Sequence, residues 1–109
     1  MSKIAKEYLK HVLDEINFIL DKSNRLEEEQ FSKDETLKRA FCRSLEIVGE
    51  AIKNLPNEFK EDNKEINWKS FAGLRDILIH NYFGVDYGIV WDVVINELPE
   101  LKKKIEEII

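Results

Sequence analysis

The chain has 109 residues, enough for one domain with one core, and its 17 Lys and Arg against 22 Asp and Glu give a formal net charge of −5. That balance argues against a protein that grips nucleic acid through a general basic field, so any RNA contact must be local. Two prolines and four glycines are too few turn formers for a sandwich or barrel of many short strands, while 36% charged residues spread along the chain suit solvated helix faces. No apolar run approaches the roughly 18 residues that cross a bilayer, and the N-terminus lacks a signal-peptide pattern. A single cysteine, Cys42, cannot close an internal disulfide. The expectation is a soluble, cytoplasmic, all-α protein with a single domain over residues 1–109.

Periodicity predicts four to five helices in an antiparallel bundle. Ser2 is a plausible N-cap for a first helix whose apolar positions run Ile4, Leu9, Val12, Leu13, Ile16, Ile19 and Leu20, ending at the polar stretch near Asp21. Ser32 followed by Glu35 reads as a capping box for a second helix with the stripe Leu37, Phe41, Leu45, Val48, Ile52 and Leu55, which stops before Pro56. The polar segment 57–65 reads as a connector with at most one helical turn. Asn67 can cap a third helix carrying Phe71, Leu74 and Leu78, with Ile77 and Ile79 making its last turns apolar nearly all round. Gly84 is placed to end that helix and Asp86 to cap the next. Residues 89–98 fit both helix and strand patterns, and helix is favoured because no partner strand is visible. Pro99 then opens a short terminal helix with Leu101, Ile105, Ile108 and Ile109 inward.

Chemistry concentrates at the end of the third helix, RDILIHNYFGVD, from Arg75 to Asp86. At about 100° per residue, Asp76 and His80 share a face, so the carboxylate can orient the imidazole. Arg75 and Tyr82 return to within about 20° of each other, whereas His80 lies about 140° from Arg75. The two therefore meet only if the long guanidinium arm reaches around, the helix end distorts, or a second copy supplies one of them. An imidazole that exchanges protons near neutrality beside a permanently charged guanidinium is a minimal kit for cleaving a phosphodiester without a metal. The same residues also suit an ordinary helix end, where the dipole favours His and Arg satisfies an acidic neighbour.

Arg75, four residues, His80, one residue and Tyr82 resemble the R-x-x-x-x-H-x-Y motif of HepT toxins in the HEPN superfamily of all-helical ribonucleases. The flanks LEIVGEAIKNLP from Leu45, INWKSFAGLRDILIHNYFGVD from Ile66 and IVWDVVINELPELKKKIEEI from Ile89 extend the resemblance over essentially the whole chain. Asp76 stands where Asn is frequent in that family, and Asn81 where Gly is frequent. The resemblance implies a HEPN-type homodimer with paired Arg-His motifs in an interfacial cleft. It also implies metal-independent RNA cleavage by 2′-hydroxyl attack, with Arg75 stabilising the phosphorane and His80 moving protons. It further implies an antitoxin partner of the MntA type, a minimal nucleotidyltransferase that transfers AMP to Tyr82. ATP and magnesium would then serve the partner, leaving this chain without a cofactor or metal of its own.

Other residues suggest less. Arg39 and Arg43, with Lys38 adjacent, could extend positive potential, but a solvated face pairing with Glu35, Glu46 or Glu50 is the plainer reading. Glu46 and Glu50, four apart, lack a third ligand for a metal. His11, near Lys10 and Asp14, reads as solvated. Cys42 reads as a small buried hydrophobe, and Trp68 and Trp91 as core or interface anchors. The alternative function from another class is a non-catalytic helical module that binds a nucleotide or a nucleotidyltransferase, with Arg75 and His80 gripping rather than cutting.

Overall fold

A computed structural model describes residues 2–80 and 84–109, and for Arg75, Ile77, Ile79 and His80 the backbone alone. Its described elements are helical: α1 (Lys3–Ser23), α2 (Glu28–Lys33), α3 (Glu35–Lys53), α4 (Asn57–Asp62), α5 (Trp68–His80), α6 (Tyr87–Asp92), a π-helical turn (Val93–Glu97) and α7 (Leu98–Ile108). The all-α expectation therefore holds, with more elements than the periodicity alone separates.

α1 starts where Ser2 accepts a hydrogen bond from the Ala5 N–H at 3.1 Å, and it buries Ala5, Leu9, Val12, Ile16 and Ile19. Ile4, assigned by its spacing to that stripe, is instead 62% exposed. The next residue, Ala5, is fully buried and begins the inward face in its place. The helix ends on Asn24, and the next residue, Arg25, takes φ 65 in the left-handed region. That conformation usually selects glycine, so no sequence signal marks the stop.

The predicted cap of α3 moves by two residues. Ser32 lies inside α2, where its hydroxyl donates to the Glu29 carbonyl at 2.8 Å. Asp34 is the residue that caps α3, accepting from the Leu37 N–H at 2.9 Å, while its own N–H closes α2 on the Phe31 carbonyl at 3.1 Å. One residue thus ends a helix and starts the next, with Phe31 of the short helix turned fully inward. The connector after Pro56 contains α4, a helix of six residues, more than the single turn expected of it.

α3 lies at the centre and packs against both α1 and α5. Its buried set, including Phe41, Leu45, Val48 and Ile52 together with the small residues Ser44, Gly49 and Ala51, is wider than a single stripe and serves two neighbours. Buried apolar residues from α1 to α7 form one connected cluster. Phe31 stacks on Phe41 at 5.2 Å between centroids and lies 5.3 Å from Trp91, which is half-buried as an anchor.

The C-terminal part departs most from expectation. Residues 87–108 form one continuous helical run in place of two helices separated at Pro99, because the Leu98 N–H reaches back five residues to the Val93 carbonyl. Proline lacks an N–H and its ring crowds the carbonyl four residues earlier in a regular α-helix. The wider π turn just before Pro99 relieves that conflict. Ile109, expected inward, ends the chain 49% exposed, while Ile108 packs partly against the core.

Lys38 ties α2, α3 and α6 together. Its ammonium donates to the Ser32 carbonyl and to Glu35 Oε1, each at 3.0 Å, and sits 4.6 Å from the centre of the Tyr87 ring. Tyr87 in turn hydrogen-bonds the Cys42 thiol. Burial pushes the Cys42 pKa up, the Glu46 carboxylate adds to the rise, and the Tyr87 hydrogen bond partly offsets it.

Two measurements check this packing. Asp34→Ala should lower the unfolding free energy by about 1 kcal/mol in urea titration, whereas Ser32→Ala should change it by less than about 0.5 kcal/mol. Because the folded-state thiol pKa is raised, Cys42 contributes stability that is complete below the ordinary thiol pKa and is lost as pH rises through the elevated one. Tyr87→Phe should move the thiol pKa further up and Glu46→Gln should move it down, both read from the pH dependence of thiolate absorbance.

Candidate functional site

α5 carries the Arg-His motif, and the sequence fixes its start in two ways. Asn67 Oδ1 accepts from the Ser70 N–H at 3.1 Å, which caps the helix. The Trp68 indole N–H donates to the Asn63 carbonyl at 3.0 Å, and its ring meets Phe59 at 5.9 Å. Trp68, Phe71 and Leu78 are buried at helical spacing, with Ala72 and Leu74 partly covered, so one side of α5 is held against the core along its length.

Arg75, Asp76 and His80 all belong to the last two turns of this unbroken helix. Asp76 is exposed to solvent. The side chains of Arg75 and His80, and all of Tyr82 and Asn81, lie outside the described residues, as do the side chains of Ile77 and Ile79. Beyond the motif the chain is anchored again. Gly84 takes φ 114, a conformation that L side chains rarely adopt, and Val85 packs partly against the core. Asp86 then accepts from the Gly88 and Ile89 N–H groups at 3.0 and 3.3 Å, capping α6. The motif therefore sits between two fixed ends.

Two of the cations on α3 make ion pairs within that helix. Lys38 retains 13% of its side-chain exposure and pairs with Glu35, and Arg43 pairs with Glu46 at 3.3 Å. These are the structural pairings that helix spacing suggests. Arg39 is exposed on the same helix. Among the described residues no three His, Cys, Asp or Glu side chains converge as a metal cage.

His11 is exposed, as its charged surroundings suggest, yet it also lines a cavity of about 330 Å³ between α1 and α3. Sequence reasoning missed that juxtaposition, along with the Lys38–Tyr87 contact. Both join residues far apart in the chain, and no local spacing signals them. Among the described residues, no helix is long and apolar enough to cross a membrane.

Comparison with known proteins agrees with the family resemblance. The family described as Ribonuclease HepT-like matches residues 9–108. A protein of Caldanaerobacter subterraneus subsp. tengcongensis, TTE0752, provisionally named an RNase, is 50% identical over 98% of this chain and 96% of its own length. MJ0127 of Methanocaldococcus jannaschii, also provisionally named an RNase, is 45% identical over 98% of this chain and 88% of its own. A protein of Thermococcus cleftensis named "Probable ribonuclease HepT" is 41% identical over 99% of this chain and 98% of its own. No solved structure matches. With a helical fold, an Arg-His motif ending α5 and a match across nearly all of its length, the chain belongs to the HepT-like ribonuclease family.

Proposed function

We propose that this chain is the toxin of a toxin–antitoxin pair, a metal-independent endoribonuclease that acts as a homodimer. The observation that carries the reading is the sequence spacing of Arg75, His80 and Tyr82, the first two on α5, within a family match spanning residues 9–108. In the reaction, a ribose 2′-hydroxyl attacks the adjacent phosphorus and the bond to the 5′-oxygen breaks, leaving a cyclic phosphate and a 5′-hydroxyl. His80 takes the proton from the attacking hydroxyl and returns one to the departing oxygen, while the Arg75 guanidinium stabilises the charge of the phosphorane. Asp76 supports His80, one helical turn away, by favouring the protonated imidazole.

A second subunit answers the angular mismatch on one helix. By helical spacing, positions 75 and 80 are about 140° apart around the axis, so two copies facing each other can pair an arginine of one with a histidine of the other. Ile89 and Ile95, 47% and 44% exposed, supply apolar surface of the kind that a subunit interface covers.

The off-switch is a minimal nucleotidyltransferase antitoxin of the MntA type that joins AMP to Tyr82. The tyrosine oxygen attacks the α-phosphorus of ATP and pyrophosphate leaves. Since an unperturbed phenol has a pKa of about 10, the partner must supply the base and the magnesium that activate it. The added phosphate forms charge-assisted hydrogen bonds with Arg75 and occupies the place of a scissile phosphate.

RNA cleavage should persist in EDTA and should run with the dimer in size-exclusion fractions. His80→Ala should reduce the rate on the order of 10²- to 10⁴-fold, and Arg75→Lys should fail as well, because an ammonium lacks the planar fork that spans two phosphate oxygens. Activity in a monomeric fraction, or in His80→Ala, overturns the mechanism. Incubation with the antitoxin, ATP and magnesium should add AMP to the wild-type mass and none to Tyr82→Phe; equal gains on both assign the modification to another residue.

A further inference from the structure

The cavity between α1 and α3 is built from groups that the cleavage mechanism does not use. Tyr8 and His11 form the α1 wall, and Arg43, Glu46, Glu50 and Asn54 the α3 wall. Ile47 and Ala51 add aliphatic surface to its lining. A volume of about 330 Å³ stands at the small end of the range for ligand sites, roughly 300–1,000 Å³, and suits a nucleobase better than a whole cofactor. Tyr8 is half-buried, so its ring is held rather than free to sweep through solvent.

The polar groups select the chemistry of the occupant. Two carboxylates within one cavity repel a phosphate and favour a ligand that presents N–H donors. Both carboxylates are held: Glu46, 29% exposed, accepts at Oε2 from the guanidinium of the 72% exposed Arg43 at 3.3 Å, and Glu50 Oε1 accepts from Asn54 Nδ2 at 3.4 Å. Side by side, a carboxylate and a guanidinium offer two acceptor oxygens followed by a donor. Guanine has the complementary edge, with adjacent N2–H and N1–H donors followed by the O6 acceptor. Adenine and cytosine each set a ring-nitrogen lone pair against a carboxylate, and uracil offers a single N–H. The aromatic Tyr8 and His11 supply stacking surface of the kind on which unpaired RNA bases are read.

We propose that this cavity is a guanine-binding subsite, in which Glu46 accepts from the base, Arg43 donates to O6, and Tyr8 with His11 covers its face. The proposal rests on the ribonuclease reading only for the source of the base, an unpaired guanosine in the RNA. It gives the chain a place to select where on an RNA it acts, through a local site that a net charge of −5 does not oppose.

Titration of the ¹⁵N-labelled full chain with guanosine, adenosine and inorganic phosphate tests it. Guanosine should shift the amide signals of His11, Glu46 and Glu50 saturably, adenosine should bind about tenfold or more weakly, and phosphate should leave these signals in place. Glu46→Gln, which turns an acceptor into a donor at constant shape, should remove the guanosine preference while the rest of the spectrum stays native. His11→Ala should weaken both nucleosides alike. Equal response to adenosine, no response to guanosine, a response to phosphate alone, or an intact preference in Glu46→Gln overturns the subsite. RNA cleavage is scored separately: guanosine binding without cleavage removes the nuclease reading and keeps the subsite, and cleavage without guanosine binding does the reverse.

Discussion

α3 has to be covered on two sides at once. Its apolar surface wraps far enough round the helix that neither α1 nor α5 alone could bury it, and its small residues keep the seams between larger side chains narrow. Docking α5 on one side and α1 on the other follows from that constraint. The position of the Arg-His motif is inherited from it, since the last turns of α5 go wherever Phe71 and Leu78 are held. The cavity lined by His11 lies on the α1 flank, where α1 and α3 meet and leave a gap edged with charge.

The second organising contact is electrostatic. Lys38 loses most of its solvent and receives in exchange a helix-terminal carbonyl, a carboxylate and an aromatic face, which together occupy the three donors of its ammonium. Each partner sits on a different element. The contact therefore sets how α6 lies against the α2–α3 corner, and with it the point at which the chain returns to the core after the motif. A lysine adjacent to two arginines on a helix looks like part of a phosphate-binding face, and here its work is internal.

Much of the helical pattern was legible because burial and hydrogen bonding repeat over short distances. Ser2, Asn67 and Asp86 cap the helices that their positions suggest, and the buried residues of α1 and α3 follow the expected periodicity. The corner around α2 was not legible, since the left-handed residue that follows α1 is Arg25 and not a glycine, and Asp34 competes with Ser32 as a cap only two positions away. Residues 89–98 were ambiguous for a physical reason as well: Val90, Val93, Val94 and Ile95 are β-branched, so a strand suits their propensity while their spacing also fits the helical run that passes through the π turn. Of the candidate site, Arg75, Asp76 and His80 were readable as residue types at helical spacing on α5. The guanidinium–carboxylate pair of Arg43 and Glu46 was readable as a pair, but that it borders a cavity with Tyr8 and His11 depends on how two separate helices meet.

The π turn also has a consequence for how this helix tolerates change in length. A π segment amounts to one residue more than a regular helix would carry over the same rise, and it sets back the rotation of everything that follows by about 100°. Leu98, Leu101 and Ile105 face the core in that delayed phase. The turn is therefore a vernier between two halves of one rod: losing a residue within Val93–Glu97 would keep the terminal residues in register but bring back the crowding at Pro99, whereas losing one beyond Pro99 would swing the terminal leucine and isoleucines out of register with α1.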